Sequence, residues 1–314
     1  MASERKVFCI GETVLDIIFR DDIPVAAKPG GSMLNSAVSL GRAGIPAYFI
    51  SDFGSDHAGD MIHAFLRSNG ILTSYISRYT DGKTALALAF LDDRQNAAYS
   101  FYKIFPEERL TCTLPRVKPG DIVLFGSFYA LTGSLRPKLM EFIHQAKATG
   151  AFIIYDPNFR SSHLDQLDTL KPWIMENISL ASLVRGSDED FRYIFSAADA
   201  THAFQHILDA GCQALVYTKN SQGVEAIATG YEQSFTVPQI RPVSTIGAGD
   251  AFNAGMIYAL TTVTMSGIQP GPGVFSSDTW ERLMSYAIRF SADVCQSMDN
   301  YISVELGNQL KPDN

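Results

Sequence analysis

The chain has 314 residues, 46% of them apolar and 18% charged, with a formal net charge of -8. That is enough apolar material for a large buried core, and an acidic balance with no Lys/Arg cluster argues against a nucleic-acid binder. No apolar run approaches the roughly 20 residues of a membrane-spanning helix, and the short apolar run after MASERK breaks at Gly11 without a cleavage site.

The four cysteines are scattered, with no C-x-x-C and no His at metal-ligand spacing. Cys9 and Cys212 lie in or beside apolar segments and read as reduced core thiols. A reducing, cytoplasmic setting is therefore expected, with no nucleic-acid or membrane partner.

In chain order, residues 7–10 form a short apolar strand, and 13–20 continue as a second strand with no helix between them. Pro24, Pro29 and the Gly30-Gly31 pair close that segment. A helix follows over 33–42, then a strand over 47–51 and a structural Gly-x-Asp-x-x-Gly turn at 54–60. Residues 83–91 and 97–104 read as a hairpin-like pair joined by Asp92–Asn96. The strict small/large alternation of TALALAFL favours a strand despite its helix-forming residues. Together with 13–20 they make a small antiparallel sheet that projects from the body.

From about residue 110 the pattern is regular. Apolar runs at 122–125, 152–155, 182–184 and 215–218 alternate with helical stretches at 134–149, 165–177, 188–195 and 201–210. Ser134 can cap the first of these helices, and Gly150 and Gly211 can end two of them. Runs apolar on both faces and separated by helices imply a mainly parallel sheet covered on both sides. The expected fold is a three-layer α/β/α core in one domain over 1–314, with a small β-sheet lid from about 12–30 and 83–105.

The strongest chemical signal is STIGAGDAFNAGMIYAL at 244–260. Gly247, Ala248 and Gly249 leave the main chain almost bare just before a helix over 251–260, an arrangement that suits an anion. Asp250 in the same turn is an odd choice for anion binding alone. It can instead take the proton of a hydroxyl attacking a γ-phosphate; the plainer alternative is a first-turn acid complementing the helix dipole. A second segment, GGSMLNSAVSLGRAG at 30–44, places a polar Asn35 on a helix of small residues, where its amide must find protein or polyol partners.

These two segments resemble the amino- and carboxy-terminal signatures of the PfkB/ribokinase family of carbohydrate kinases, fructokinase and 2-keto-3-deoxygluconate kinase branch, in order and separation. The resemblance implies a ribokinase-like fold and transfer of the ATP γ-phosphate to a hydroxyl of a small sugar. It makes Asp250 the base, Gly247, Ala248 and Gly249 the anion hole, and Asp16, Gly30, Gly31 and Asn35 sugar-binding residues. Asp156, Asn158 and Arg160 form D-P-N-x-R at the end of a core strand, where open parallel sheets bind ligands. Phe101 and Lys103 match an F-Y-K element that reaches over the sugar. Thr218, Asn220 and Gly223 with Thr245 and Ala292 fall on the nucleotide side.

The resemblance also implies Mg2+, a monovalent cation such as K+, and a homodimer through the lid. Two departures stand out. Ser244 replaces an Asp, and Ser187 with Asp190 replaces an N-x-x-E element, so Asp190 would reach magnesium through water, or the two would serve as a helix-capping pair. Fructose is the preferred acceptor because only Lys103 and Arg160 are candidates for a substrate carboxylate. 2-Keto-3-deoxygluconate, ribose and nucleosides are the alternatives, and a sugar- or nucleotide-sensing protein without catalysis is the alternative of another class. A nicotinamide dehydrogenase is excluded by GETVLD where G-x-G-x-x-G would be needed.

Overall fold

The computed structural model describes residues 5–91, 97–262 and 275–311, so the predicted 92–96 connection lies outside the described residues. The first half runs β1 (Val7–Ile10), β2 (Val14–Arg20), β3 (Ile23–Gly30), α1 (Ser32–Arg42), β4 (Ala47–Gly54), α2 (His57–Ser68), β5 (Leu72–Tyr79), β6 (Lys83–Leu91) and β7 (Ala97–Ile104). There follow β8 (Ile122–Gly126), α3 (Arg136–Thr149), β9 (Phe152–Asp156), α4 (Leu167–Leu180), β10 (Leu183–Ser187), α5 (Asp188–Phe195), α6 (Ala200–Asp209) and β11 (Ala214–Thr218). The chain closes with β12 (Val224–Ala228), β13 (Tyr231–Phe235), α7 (Ala248–Thr262), α8 (Ser277–Val294) and α9 (Val304–Leu310).

The main sheet has the order β13-β12-β11-β10-β9-β8-β1-β4-β5. Every pair from β5 to β11 is parallel, and β12 and β13 add an antiparallel margin. The period-2 alternation of each strand sorts its side chains between two apolar layers. Val7, Cys9, Ile122 and Leu124 pack with α1, α7 and α8 on one face. Phe8, Ile10, Val123 and Phe125 pack with α3, α4 and α6 on the other. Each such fully buried side chain stabilises the fold by about 1.5–3 kcal/mol. Cys9 and Cys212 are free thiols buried in these layers, and burial pushes Cys9 up to about 12 and Cys212 to about 11.

Gly150 ends α3 in the left-handed region at φ 85, as expected of a helix-terminating glycine. The expected Ser134 cap is not used. The helix begins at Arg136, with a proline in its first turn and no side-chain cap; the proline's missing N–H costs nothing there.

The second sheet, ordered β3-β2-β6-β7, stands off the first. Its outer pairs are antiparallel, but β2 and β6 run parallel because the whole α1-β4-α2-β5 stretch lies between them. Pro24 and Pro29 sit inside β3 rather than ending the segment. β3 is an edge strand, where a missing N–H removes no ladder bond. In β6 the alternation resolves into a buried Ala85, Ala87 and Ala89 face and a half-exposed Leu86, Leu88 and Phe90 face, with Phe90 stacked on Phe19 at 4.9 Å.

Candidate active site

Parallel strands bring their carboxyl ends to one edge, and α7 starts there. It begins at Ala248, three residues before the predicted start, so Asp250 belongs to its first turn, beside amides that have no partner within the helix. Gly247 turns the chain at φ 81, and a Cβ there would lie 2.3 Å from the Asn300 carbonyl. A Cβ on Gly249 would lie 2.7 Å from the Arg185 guanidinium. Two different neighbours therefore keep this turn bare.

Helix α1 meets α7 across the same edge. It starts after Gly31, whose φ of 132 carries the chain within 2.2 Å, measured from a would-be Cβ, of the Glu12 carbonyl. Ser32 Oγ donates to Asp250 Oδ1 at 2.5 Å and Asn35 Nδ2 donates to Oδ2 at 2.8 Å. Ser36 Oγ donates to the Asp250 main-chain carbonyl at 2.8 Å. Burial pushes the Asp250 carboxyl above its ordinary range, the two donated bonds pull it back, and nearby Asp156 and Arg160 act upward and downward respectively. The Asn35 Oδ1 atom is buried without a protein partner, which leaves one acceptor of this amide unsatisfied beside Asp250. Ser32 and Ser36 were missed in the sequence; their only mark is a serine pair at i, i+4 on a helix of small residues.

The lid supplies the opposite wall. Asp16 pairs across the ladder with Lys28 and Ala87, and its carboxylate lies 2.2 Å from where a Gly30 Cβ would be, so Gly30 makes room for it. Burial raises Asp16 to about 6. Tyr99, another residue missed in the sequence, feels both Asp16 and Arg160 and stacks on Phe101 at 5.8 Å. Arg160 itself is exposed at the end of the β9 loop. Lys103 does not stand free: Glu12 holds it at 2.8 Å, beneath the Phe101 ring.

Asp16, Gly30, Gly31, Asn35, Arg160, Phe101, Lys103 and Asp250 thus border one region. Asp156 does not open onto it. It is fully buried, accepting from Arg185 at 3.0 Å, Asn253 at 2.6 Å and the Asn158 amide at 3.0 Å, so every oxygen is spent on protein. The expected sugar contact at Asp156 is replaced by a supporting role, with Asn158 shaping the turn at φ 40. Asp190 is similarly inward. Oδ1 accepts from Phe159 N at 2.6 Å and Oδ2 from Ser187 N at 2.7 Å and Ser187 Oγ at 2.6 Å, so Ser187 and Asp190 form the capping box. Oδ1 carries one of these bonds and Oδ2 two, and the residue is 5% exposed. Among the described residues no group of three or more His, Cys, Asp or Glu is placed to hold a metal ion.

On the other side, Thr218 accepts from Arg185 at 2.9 Å. Asn220 adopts φ 49, the left-handed conformation its side chain tolerates, and Gly223 turns at φ 110. Ala292 lines a cleft of about 470 Å3 with Pro238, Ile288, Asp293 and Gln296. The Thr245 carbonyl accepts from the Ala248 amide at 3.3 Å, and Ser244 Oγ closes a local turn by accepting from Ile246 N at 3.2 Å.

A bare turn at a helix start beside a carboxylate, facing a lidded polar pocket, belongs to a phosphotransferase acting on a sugar. The chain belongs to the pfkB family of carbohydrate kinases, whose family model matches residues 4–304. It is similar to a fructokinase from Vibrio alginolyticus, 24% identical over 259 residues that cover 82% of this chain and 84% of the relative. Its fold matches aminoimidazole riboside kinase from Salmonella enterica, complexed with aminoimidazole riboside and an ATP analogue, at TM-score 0.82, with 22% identity and 98% of both chains covered. It also matches fructokinase from Vibrio cholerae O395, bound to fructose, ADP and calcium, at TM-score 0.83, with 20% identity over 98% of this chain and 99% of that one. The ribokinase-like fold is thereby established.

Proposed function

We propose that the protein transfers the γ-phosphate of ATP to a primary hydroxyl of fructose. The observation that carries this reading is the seat of Asp250: a carboxylate in the first turn of α7, held by Ser32 and Asn35 of α1. The sugar hydroxyl sits between Asp250 and the bare turn. Asp250 takes its proton as the oxygen attacks, and the amides of the α7 start together with Arg160 meet the charge that develops. Asp16 and Asn35 Oδ1 accept from the other hydroxyls, and the lid excludes water, which would compete as acceptor. The cleft at Ala292 receives the nucleotide base.

Magnesium would arrive with the nucleotide, held by phosphate oxygens and water rather than by a protein cage, as the ion's reluctance to lose water favours. It would supply charge neutralisation on the phosphates, with Asp190, engaged in the α5 capping box, at most acting on it through water.

The ion pair between Lys103 and Glu12 favours a neutral sugar. A keto-acid substrate would have to displace Glu12 from Lys103 or rely on Arg160 alone. The test is a panel of fructose, ribose, 2-keto-3-deoxygluconate and aminoimidazole riboside with ATP. Fructose is expected to give the highest kcat/KM. Preference for the keto acid would overturn the substrate assignment, and binding of a sugar with no ADP released from any acceptor would identify a sensor instead.

Asp16 gives a pH signature. Its folded-state value near 6 means that it loses its charge, and with it one acceptor site, as pH falls through 6. The KM for the sugar is expected to rise by up to about tenfold from pH 7 to pH 5. In Asp16→Asn the KM should start higher and stay flat over the same interval; parallel slopes in the two proteins would remove Asp16 from the sugar site.

The half-exposed Leu88, Ile17 and Phe19–Phe90 face of the lid is more apolar than a solvated flap needs. Lid-to-lid packing in a cytoplasmic homodimer covers it; light scattering at micromolar concentration should give twice the chain mass, and a monomer would count against this.

A further inference from the structure

We infer that Arg185 is a positioning residue of the transfer reaction: it braces the turn that carries Asp250 and cancels a buried charge that would otherwise face that base. The inference rests on the reading of Asp250 as the base. Arg185 was not singled out by any sequence motif. It lies near the end of β10, between the ends of β9 and β11, so the parallel register sets Asp156 on one side of it and Thr218 on the other.

The residue is almost wholly enclosed, at 8% exposure. Nη1 donates to Asp156 Oδ2 at 3.0 Å, Nη2 donates to Thr218 Oγ1 at 2.9 Å, and Nε has no protein partner. The Phe252 ring lies 5.4 Å away, and the guanidinium fills the space a Gly249 side chain would take. Two links therefore join the strand ends to α7: Arg185 against Gly249, and Asp156 to Asn253. A shift of either would move Asp250, which lies between residues 249 and 253.

The charges around this point are unbalanced without Arg185. Asp156 from β9 and Asp190 from α5 both face it, and Asp250 on α7 feels Asp156 from one side and Arg160 from the other. Ser32 and Asn35 on α1 contribute donors to Asp250 but no charge. Buried carboxylates without a counter-charge raise one another's pKa and cannot all ionise near neutral pH. Arg185 sets a positive charge directly on Asp156, at the point where the strand ends meet the α7 turn that carries Asp250.

The test is the acid limb of kcat against pH for the full-length enzyme with ATP and its best acceptor. Arg185→Met is expected to displace the limb upward by about one pH unit, which lowers kcat about tenfold on the limb. Asp156→Asn, which removes the charge but keeps the shape, should displace it downward, and the double variant should return it toward or below the wild-type position. A purely structural arginine would lower activity evenly across pH and show no return in the double variant. If Arg185→Met does not melt cooperatively, Asp156→Asn and the double variant still decide the matter: limbs superimposable on wild type overturn the inference. Asp250→Asn separates the two readings. If it keeps its turnover, the base assignment fails; if it is inactive while the other limbs stay fixed, only the role of Arg185 falls.

Discussion

Replacing Asp250 by Asn is expected to lower kcat by at least about a hundredfold while leaving sugar affinity nearly unchanged. The substitution keeps the shape of the side chain, and its Oδ1 can still accept from Ser32. Only the contact with Asn35 is put at risk, because two amide NH2 groups would then face each other. Asn35 can relieve this by turning its amide, since its Oδ1 has no protein partner to lose. What the variant lacks is a group that can hold the acceptor's proton, so the deficit belongs to the chemical step. Steady-state turnover and calorimetric sugar binding on the same preparation check this. Near-normal turnover would remove Asp250 from the role, and a lost sugar affinity would mean that the pocket had collapsed.

The largest effect on stability is expected at Arg109. It donates to Asp52 in two parallel bonds, at 2.7 Å from Nε and 3.0 Å from Nη2, and Tyr129 OH adds a third at 2.9 Å. The guanidinium also lies 3.6 Å from the centre of the Phe105 ring. Asp52 is 2% exposed and Arg109 8%, so neither can turn to water if its partner is removed. Arg109→Met should therefore cost about 3–5 kcal/mol, and the melting temperature should fall by roughly 10 °C for a chain of this size. Arg109→Met with Asp52→Leu should recover much of that loss, because no buried charge is then left alone. Melting curves of the single and double variants read the effect. A single variant within about 1 kcal/mol of wild type would show that water reaches Asp52.

This pair also ties the lid to the body. Arg109 follows β7, at the point where the chain leaves the lid, and Leu110 beside it is held at φ 52. Asp52 lies near the end of β4, next to the corner where Asp56 accepts from Thr84 N at 2.9 Å and from Thr84 Oγ1 at 2.6 Å. Both roots of the β6–β7 hairpin are thus fastened to the same strand end. The Gly-x-Asp-x-x-Gly turn is structural, as its sequence suggested, and its purpose is to anchor β6.

Local pattern carried most of the architecture. Strands β1, β6 and β7 and helix α5 fall within the boundaries their alternation or periodicity implied, because burial on one or two faces imposes a period that needs no knowledge of the partner. The bare turn at 247–249, the double glycine before α1 and the acid of α7 were legible for a related reason. Close backbone approach and helix starts restrict residue type locally, whatever else the fold does.

Long-range pairing left no such trace. Ser32 and Asp250 are 218 positions apart, Arg109 and Asp52 are 57 apart, and Arg185 meets Asp156 at 29. Nothing in the spacing of one chain selects a particular acid for a particular base, since Coulomb attraction and hydrogen bonding depend on distance in space. The inward turn of Asp156 and Asp190 shows this most clearly. Both stand in motifs that suit ligand contact, yet folding brought an arginine and main-chain amides to their oxygens first, and a buried carboxylate accepts the partners that packing supplies.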